Sequence, residues 1–494
     1  MGKVKSAICL TLITLIVAVL GVLSTVSIEF DTAAGKAYNS FISYMKKDAV
    51  FGNELKNGAY VGGGYVTVYY PEGVISAEEY EANLAAYGSD AEGKAEYEDK
   101  YTRHEGGAIY LETETVYNEE GTAISEAFKT SFANNVKALQ ERYEQSRIPG
   151  VKLEIADEYT VRVTLPSMES AASAYVSFYA YAGEATIAYG TADAVLGESD
   201  KTISDYIKGA SSQTVQDVSY VIIDFTKEGR ELVKAATAGA AETASTLFIN
   251  VGDQSVIQLS VNEEIDQKSL FISGSYTDET AGAVATLIDQ SVNGTQADLA
   301  MTVDKSAAFE AEGGNNALLF VYIGVGVLFL AMVVFFAVRY HALAITQVYA
   351  FLIFLIATII SLAFIPFVYL GVGTIAAFAL TAVLLCVSNA VSFEYAKKEY
   401  ALGKTMTSSV KTGYKKCFWH LFDLHVILAL AAFIVAAIAT TELQVFAFML
   451  GLGTVFSGVC SLLISRFMWA ITMGFSKKQG SFCNFKKEEV EEDD

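Results

Sequence analysis

The sequence predicts a membrane protein in two parts: an α-helical bundle of six transmembrane helices, and an α+β extracytoplasmic domain set between the first helix and the rest. Three observations carry this. Apolar residues make up 52% of the 494 residues and the mean hydropathy is +0.35, more than one soluble core requires. They gather into runs of bilayer-spanning length, at residues 7–28 and again beyond residue 316. The charge, finally, is segregated. Residues 29–316 hold 20 Lys and Arg against 46 Asp and Glu, whereas the remainder holds 14 against 10.

That acidic middle argues against nucleic acid as a partner, since phosphate backbones need the opposite sign. Anionic lipid surfaces would repel it as well. All five cysteines (Cys9, Cys386, Cys417, Cys460, Cys483) lie outside it, so it forms no internal disulfide. Four scattered histidines and no cysteine cluster leave no zinc pattern, and no cofactor motif is present. The one histidine of the middle region, His104, sits in a charged run (KYTRHEGG) with no nucleophile pattern beside it. The chain is therefore read as a non-enzyme.

In chain order, residues 1–28 give a short basic start and the first transmembrane helix. No small-x-small cleavage pattern follows, so the helix is expected to be retained. Residues 29–316 mix period-two stretches at 65–70, 160–165, 255–261 and 270–275 with helical ones at 77–87, 121–145, 229–237 and 277–291. Gly62, Gly63 and Gly64 precede a strand rather than a helix. This excludes a phosphate loop and favours a structural glycine hairpin or a close backbone approach. Residues 317–472 supply five further apolar segments, at 317–338, 343–365, 369–393, 424–440 and 445–467, the second and third joined by a turn at Pro366. Residues 473–494 form a charged tail ending EEVEEDD, for which a solvated, disordered run is expected.

Loop charge orients the chain. Arg339, six lysines from Lys397 to Lys416 and four from Lys477 to Lys487 fall on the side of Met1, while the opposite short loops hold no Lys or Arg. By the positive-inside rule both termini are cytoplasmic and the acidic domain lies outside the cytoplasmic membrane.

Polar groups stand out in the apolar helices. Ser388 and Asn389 are expected to contact a neighbouring helix or line a coupling path. Glu394 and Asp423 bracket the lysine-rich loop and are expected to pair with it. Arg466 is expected to snorkel or to pair with Asp423.

The stretch SNAVSFEYAKKEYALGKTMTSSVKTGYKKCFWHLFDLH resembles a segment of SecD, the protein-translocase accessory subunit of the RND superfamily. That segment reads roughly D-A-N-V-x-I-x-E-R-I-x-E-E, then G-Y-x-x-A-F, then I-F-D-A-N. Asn389, Glu394, Gly413, Tyr414, Phe418, Phe422 and Asp423 match in order. The family's intramembrane aspartate, seven residues before the glutamate, is Val387 here. In the soluble region, AYVGGG, LQERYEQSRIPGVKLEIADEYTVRVTLP and ISGSYT with its following Ala-rich helix are similar to the family's glycine hairpin, helix–turn–strand and closing motif.

The resemblance implies a ferredoxin-like external base with an inserted head near residues 167–250. It also implies a role in late, proton-motive-force-linked export of unfolded secretory chains, alongside a SecF-like subunit and the SecYEG channel. Val387 cannot titrate, which leaves two rivals open. One is an uncoupled scaffold that only binds partners or emerging chains; the other is a half-size RND-type transporter of lipids or small molecules.

Overall fold

The computed structural model describes residues 2–25, 29–32, 35–38 and 57–487, except 147, 149, 167–170, 199, 216–217, 305–306 and 366. The expected turn at Pro366 and the acidic tail from Glu488 lie outside these residues. The chain divides into two units, Met1–Gly63 with Glu310–Asp494, and Gly64–Phe309. Helices of eight residues or more are numbered below, with all described strands.

The first unit begins with α1 (Lys3–Thr25) and a short antiparallel ribbon, β1 (Glu29–Thr32) and β2 (Gly35–Tyr38).

The Gly64–Phe309 unit mixes helices with antiparallel sheets, the α+β arrangement expected. Its strands β3 (Gly64–Pro71), β4 (Val74–Ser76), β5 (Tyr101–Arg103), β6 (Ile109–Glu112), β7 (Lys152–Ala156) and β8 (Thr160–Pro166) alternate with α2 (Ala77–Ala86), α3 (Ala91–Lys100) and α4 (Glu126–Gln145). After α5 (Ala171–Tyr179) come β9 (Ala185–Tyr189), β10 (Ile207–Val215) and β11 (Val218–Phe225), then α6 (Lys227–Thr237). Strands β12 (Ser245–Val251), β13 (Gln254–Val261) and β14 (Ser269–Ser273) follow, then α7 (Asp278–Asn293), β15 (Met301–Val303) and β16 (Ala307–Phe309).

The main sheet runs β15-β3-β8-β7, with β16 also on β3, and every pairing in it is antiparallel. Three smaller sheets run β4-β6-β5, β10-β11-β14 and β13-β12-β9. The period-two stretches all become strands because one face is dry: Val161, Val163 and Leu165 are fully buried on β8. The turn between β7 and β8 places Asp157 and Glu158 at φ 47° and 62°, a left-handed conformation that short acidic side chains tolerate better than most.

The helices start where side-chain caps allow. Ser76, Ser125, Thr226 and Thr277 each accept a bond from the backbone N–H three residues on, capping α2, α4, α6 and α7. Between α4 and α5 the Arg142 side chain is buried, and its Nη1 donates to the carbonyls of Tyr179 and Tyr181 at 2.7 and 2.8 Å. Burial without a carboxylate brings its pKa down to about 10.

The glycine run does not form a hairpin. Ala59–Gly62 is one helical turn, Gly63 at φ 65° ends it, and β3 follows. The close approach is real at Gly64, where a Cβ would stand 2.2 Å from the Leu165 carbonyl oxygen across the strand pair.

The rest of the first unit is helical: α8 (Ala317–Tyr340), α9 (Ala344–Phe364), α10 (Val372–Ala401), α11 (Met406–Ile438), α12 (Thr441–Val459) and α13 (Ser465–Thr472). Five described stretches are long and apolar enough to cross a membrane: Lys3–Val22, Ala317–Phe364, Val372–Ala401, Met406–Ile438 and Glu442–Phe475. The chain is a membrane protein.

The second stretch, of 48 residues, holds two helices broken at His341, whose φ is 48°. A single π-turn, Cys460–Ile464, interrupts the last. Burial here inverts the soluble pattern. Ile8, Leu12, Val338, Ile427 and Ile438 face outward, while Thr346, Gln347, Thr381, Ser388, Asn389, Ser457 and Ser461 are buried.

Candidate functional site

The interior of the bundle centres on α10. Its buried positions Thr374, Ala377, Thr381, Leu385, Ser388, Ser392, Ala396 and Glu399 recur at three or four residues, one face of a helix. On that face Asn389 is fully buried, and its Nδ2 donates to Gln347 Oε1 on α9 at 2.6 Å. Gln347 Nε2 in turn lies 3.7 Å from Met332 Sδ on α8. One amide pair thus ties three helices. On the other side, Ser392 Oγ donates to the Ser388 carbonyl at 3.0 Å and receives Cys417 Sγ of α11 at 3.7 Å.

These bonds do not exhaust the polar atoms. Asn389 Oδ1, Ser388 Oγ and Thr346 Oγ1 are buried with no hydrogen-bond partner. Burying such a group costs on the order of 1–3 kcal/mol when it is left unpaired.

A second buried group sits on α11. His425 Nδ1 is 2.7 Å from the Leu421 carbonyl oxygen and Nε2 is 3.3 Å from Ser457 Oγ. A carbonyl only accepts, so Nδ1 carries a proton, while the serine hydroxyl can serve Nε2 as donor or acceptor.

The charged residues sort differently from expectation. Glu394 does not pair with the lysine-rich loop. Its Oε1 accepts from Arg339 Nη2 and Nε at 2.7 and 3.0 Å, and from Tyr340 OH at 3.0 Å. The end of α8 supplies a planar fork and a phenol together, which a single flexible lysine cannot match. The expected loop is mostly helix, since α10 runs to Ala401 and α11 starts at Met406, and part of its charge is answered instead by Glu399, whose side chain is nearly buried and which binds Lys416 at 2.5 Å and also Lys404. Asp423 is exposed on α11. Arg466 is also exposed and does not pair with Asp423; its guanidinium lies over the Tyr414 ring, 5.9 Å from the centroid.

No protein-family model matches the chain. Curated relatives do. The chain is 25% identical over 301 residues to the protein translocase subunit SecD of Prochlorococcus marinus, covering 59% of each. It is 33% identical over 100 residues to SecD of Treponema pallidum, 20% of this chain and 17% of that protein. It also shares the fold of SecDF in its super-membrane-facing crystal form, with a TM-score of 0.53 at 16% identity, over 93% of this chain and 57% of that one.

The chain is SecD-like.

It is a divergent case, and it spans from 17% to 59% of the length of the curated relatives it matches. In this SecD-like chain Val387, the position where the resemblance places the family aspartate, is half exposed. It lines an open groove of 390 Å³ with Phe335, Val391, Glu394 and Tyr395. Ser388 and Asn389, its neighbours in sequence, face the interior.

Sequence reading missed three residues. Gln347 was legible as the lone amide of an apolar helix (AITQVYAFL). Glu399 was masked by the charge run around it, and His425 by the absence of any motif.

Proposed function

We propose that this chain is a SecD-like accessory subunit of the protein export machinery. On this reading it assists late, proton-motive-force-linked release of unfolded chains across the cytoplasmic membrane, with a SecF-like partner beside the SecYEG channel. The observation that carries the reading is the match to SecD over more than half the chain. The SecDF-like fold supports it.

The reading includes six crossings. Ala317–Phe364, at 48 residues, is more than twice as long as a hydrocarbon core of about 30 Å requires. It breaks at His341, so it counts as two. Loop charge then puts both termini in the cytoplasm and the α+β unit, a ferredoxin-like base with an inserted head, outside. The exposed Val387 face and its groove are where a SecF-like subunit would pack.

One observation favours a second reading. An aliphatic residue stands where the resemblance places a proton-carrying aspartate, and among the described residues Glu399, at the end of α10, is the one buried carboxylate. A chain without a titratable core acid would act as an uncoupled scaffold.

The deciding experiment is export in cells depleted of their own SecD and supplied with this chain and a SecF-like partner, with and without an uncoupler. Uncoupler-sensitive export with the natural chain supports the proposal. Export restored only by Val387→Asp assigns the scaffold role. No export with either, from chains shown to be inserted and assembled, removes both readings. A reporter fused after Gly294 that proves cytoplasmic removes the topology.

A further inference from the structure

Three apolar stretches end around one cavity. Helix α10 stops at Ala401, α11 starts at Met406, and the last stretch stops at Phe475. The cavity has a volume of 430 Å³, and Lys404, Lys477, Lys478 and Lys487 stand on its wall with Thr405 and Ser481. Among the described residues no carboxylate shares that wall. Beneath it Met406, Tyr400, Phe482 and Phe485 belong to one apolar cluster.

The charges there are only partly answered. Lys404 binds Glu399, but Glu399 is shared with Lys416, so the trio keeps a positive charge. Lys487 lies 5.8 Å over the Tyr400 ring. Lys477 and Lys478 are exposed and have no ion-pair partner among the described residues. Thr405 Oγ accepts from Ser408 N–H as the cap of α11, which leaves its hydroxyl hydrogen free to donate. Ammonium groups crowded around a space of this size repel one another, and an anion inside it removes that cost.

We propose that this cavity binds a phosphate-bearing anion, and that its source is the phosphodiester head group of an anionic membrane lipid. The lysines neutralise the phosphate, and the Thr405 and Ser481 hydroxyls donate to its oxygens. The volume lies in the range of small-ligand sites, about 300–1,000 Å³. The place favours the lipid: α10 and α11, at 30 and 33 residues, outlast a hydrocarbon core of about 30 Å, so their lysine-bearing ends rise into the polar layer, where long side chains reach head groups. This inference is independent of the export reading.

The test is native mass spectrometry of the full chain in neutral maltoside micelles, titrated with phosphatidylglycerol and, as control, phosphatidylcholine. Two charge-matched variants are compared, Lys477→Gln/Lys478→Gln at the cavity and Lys411→Gln/Lys415→Gln on exposed turns of α11. The natural chain should retain phosphatidylglycerol over phosphatidylcholine, and excess inorganic phosphate should displace it. The cavity variant should bind about thirtyfold more weakly, about fivefold for each lysine lost, with the α11 variant close to the natural chain. All four lysines are exposed, so circular dichroism should report both variants folded.

Equal loss in the two variants would reduce the effect to diffuse surface charge and sink the proposal. Inorganic phosphate bound without retained phosphatidylglycerol would assign a soluble anion and overturn the lipid source. Lipid binding that appears only after truncation beyond Lys487 would give the cavity to the chain's own acidic tail, and would equally overturn it.

Discussion

At the scale of single residues, the Asn389–Gln347 amide pair is a buried side-chain bond between α10 and α9. Asn389→Ala should destabilise the protein in detergent by about 1 kcal/mol, the order found for hydrogen bonds between membrane helices. Gln347→Ala added to it should cost little more, because the first change already removes the shared bond. Additive losses in that double-mutant cycle, read by denaturant unfolding, would mean the two amides act separately.

In the soluble unit the phenols of Tyr69, Tyr143, Tyr175 and Tyr179 are buried and held above the ordinary tyrosine range, chiefly by loss of solvation. Tyr179 is pushed up to about 12. An unfolded tyrosine ionises near about 10. The folded state thus binds the proton more tightly, and the stability this gives is complete below pH about 10 and lost as pH rises through about 12. Tyrosinate absorbance from these four should appear together with loss of far-ultraviolet dichroism, after the exposed tyrosines have titrated. Ionisation of all the tyrosines ahead of unfolding would contradict the burial.

At the scale of elements, α10 and α11 meet over Gly413, where a Cβ would lie 2.6 Å from the backbone nitrogen and Cα of Ala396. Backbone cannot give way as a side chain can, so Gly413→Val should cost about 1–3 kcal/mol or more and splay the two helices. Resistance to unfolding by a harsh detergent measures this, and a variant as resistant as the natural chain would show the contact is loose.

Helices and strands were the legible part. Stretches 65–70, 160–165 and 277–291 became β3, β8 and α7 because burial imposes the period that the residues display, and caps such as Thr277 are local. The partners of charges were not legible. Glu394 meets Arg339 across 55 positions of sequence, whereas the nearby lysines looked the natural choice. Which of several acids a lysine takes depends on how helices turn against each other, and no local pattern records that. The glycine run was legible in part: the close approach stands at Gly64, and the hairpin does not form. Its pattern predicts a special backbone, but one helical turn ending in Gly63 uses glycine as well as a hairpin does.

At the scale of the whole molecule, the proposed topology predicts opposite labelling of two single cysteines, in a background lacking the natural five. One introduced at Gly294 should react with a membrane-impermeant maleimide in intact cells, and one at Gly403 only after permeabilisation. The same labelling at both would refute it.

The soluble unit also begins and ends in one place: Gly64 opposes Phe309 where β3 pairs with β16, and paired strands put such residues about 5 Å apart. Its two ends are therefore already almost a closed ring. A short glycine linker from Phe309 to Gly64, with new termini cut at the exposed Glu119 and Glu120, should give a circular permutant that folds by itself, because little loop-closure entropy is added. A permutant with native far-ultraviolet dichroism would make the unit a detachable cassette, joined to its host by two adjacent strand ends, and one that stays unfolded would show that it leans on the helices.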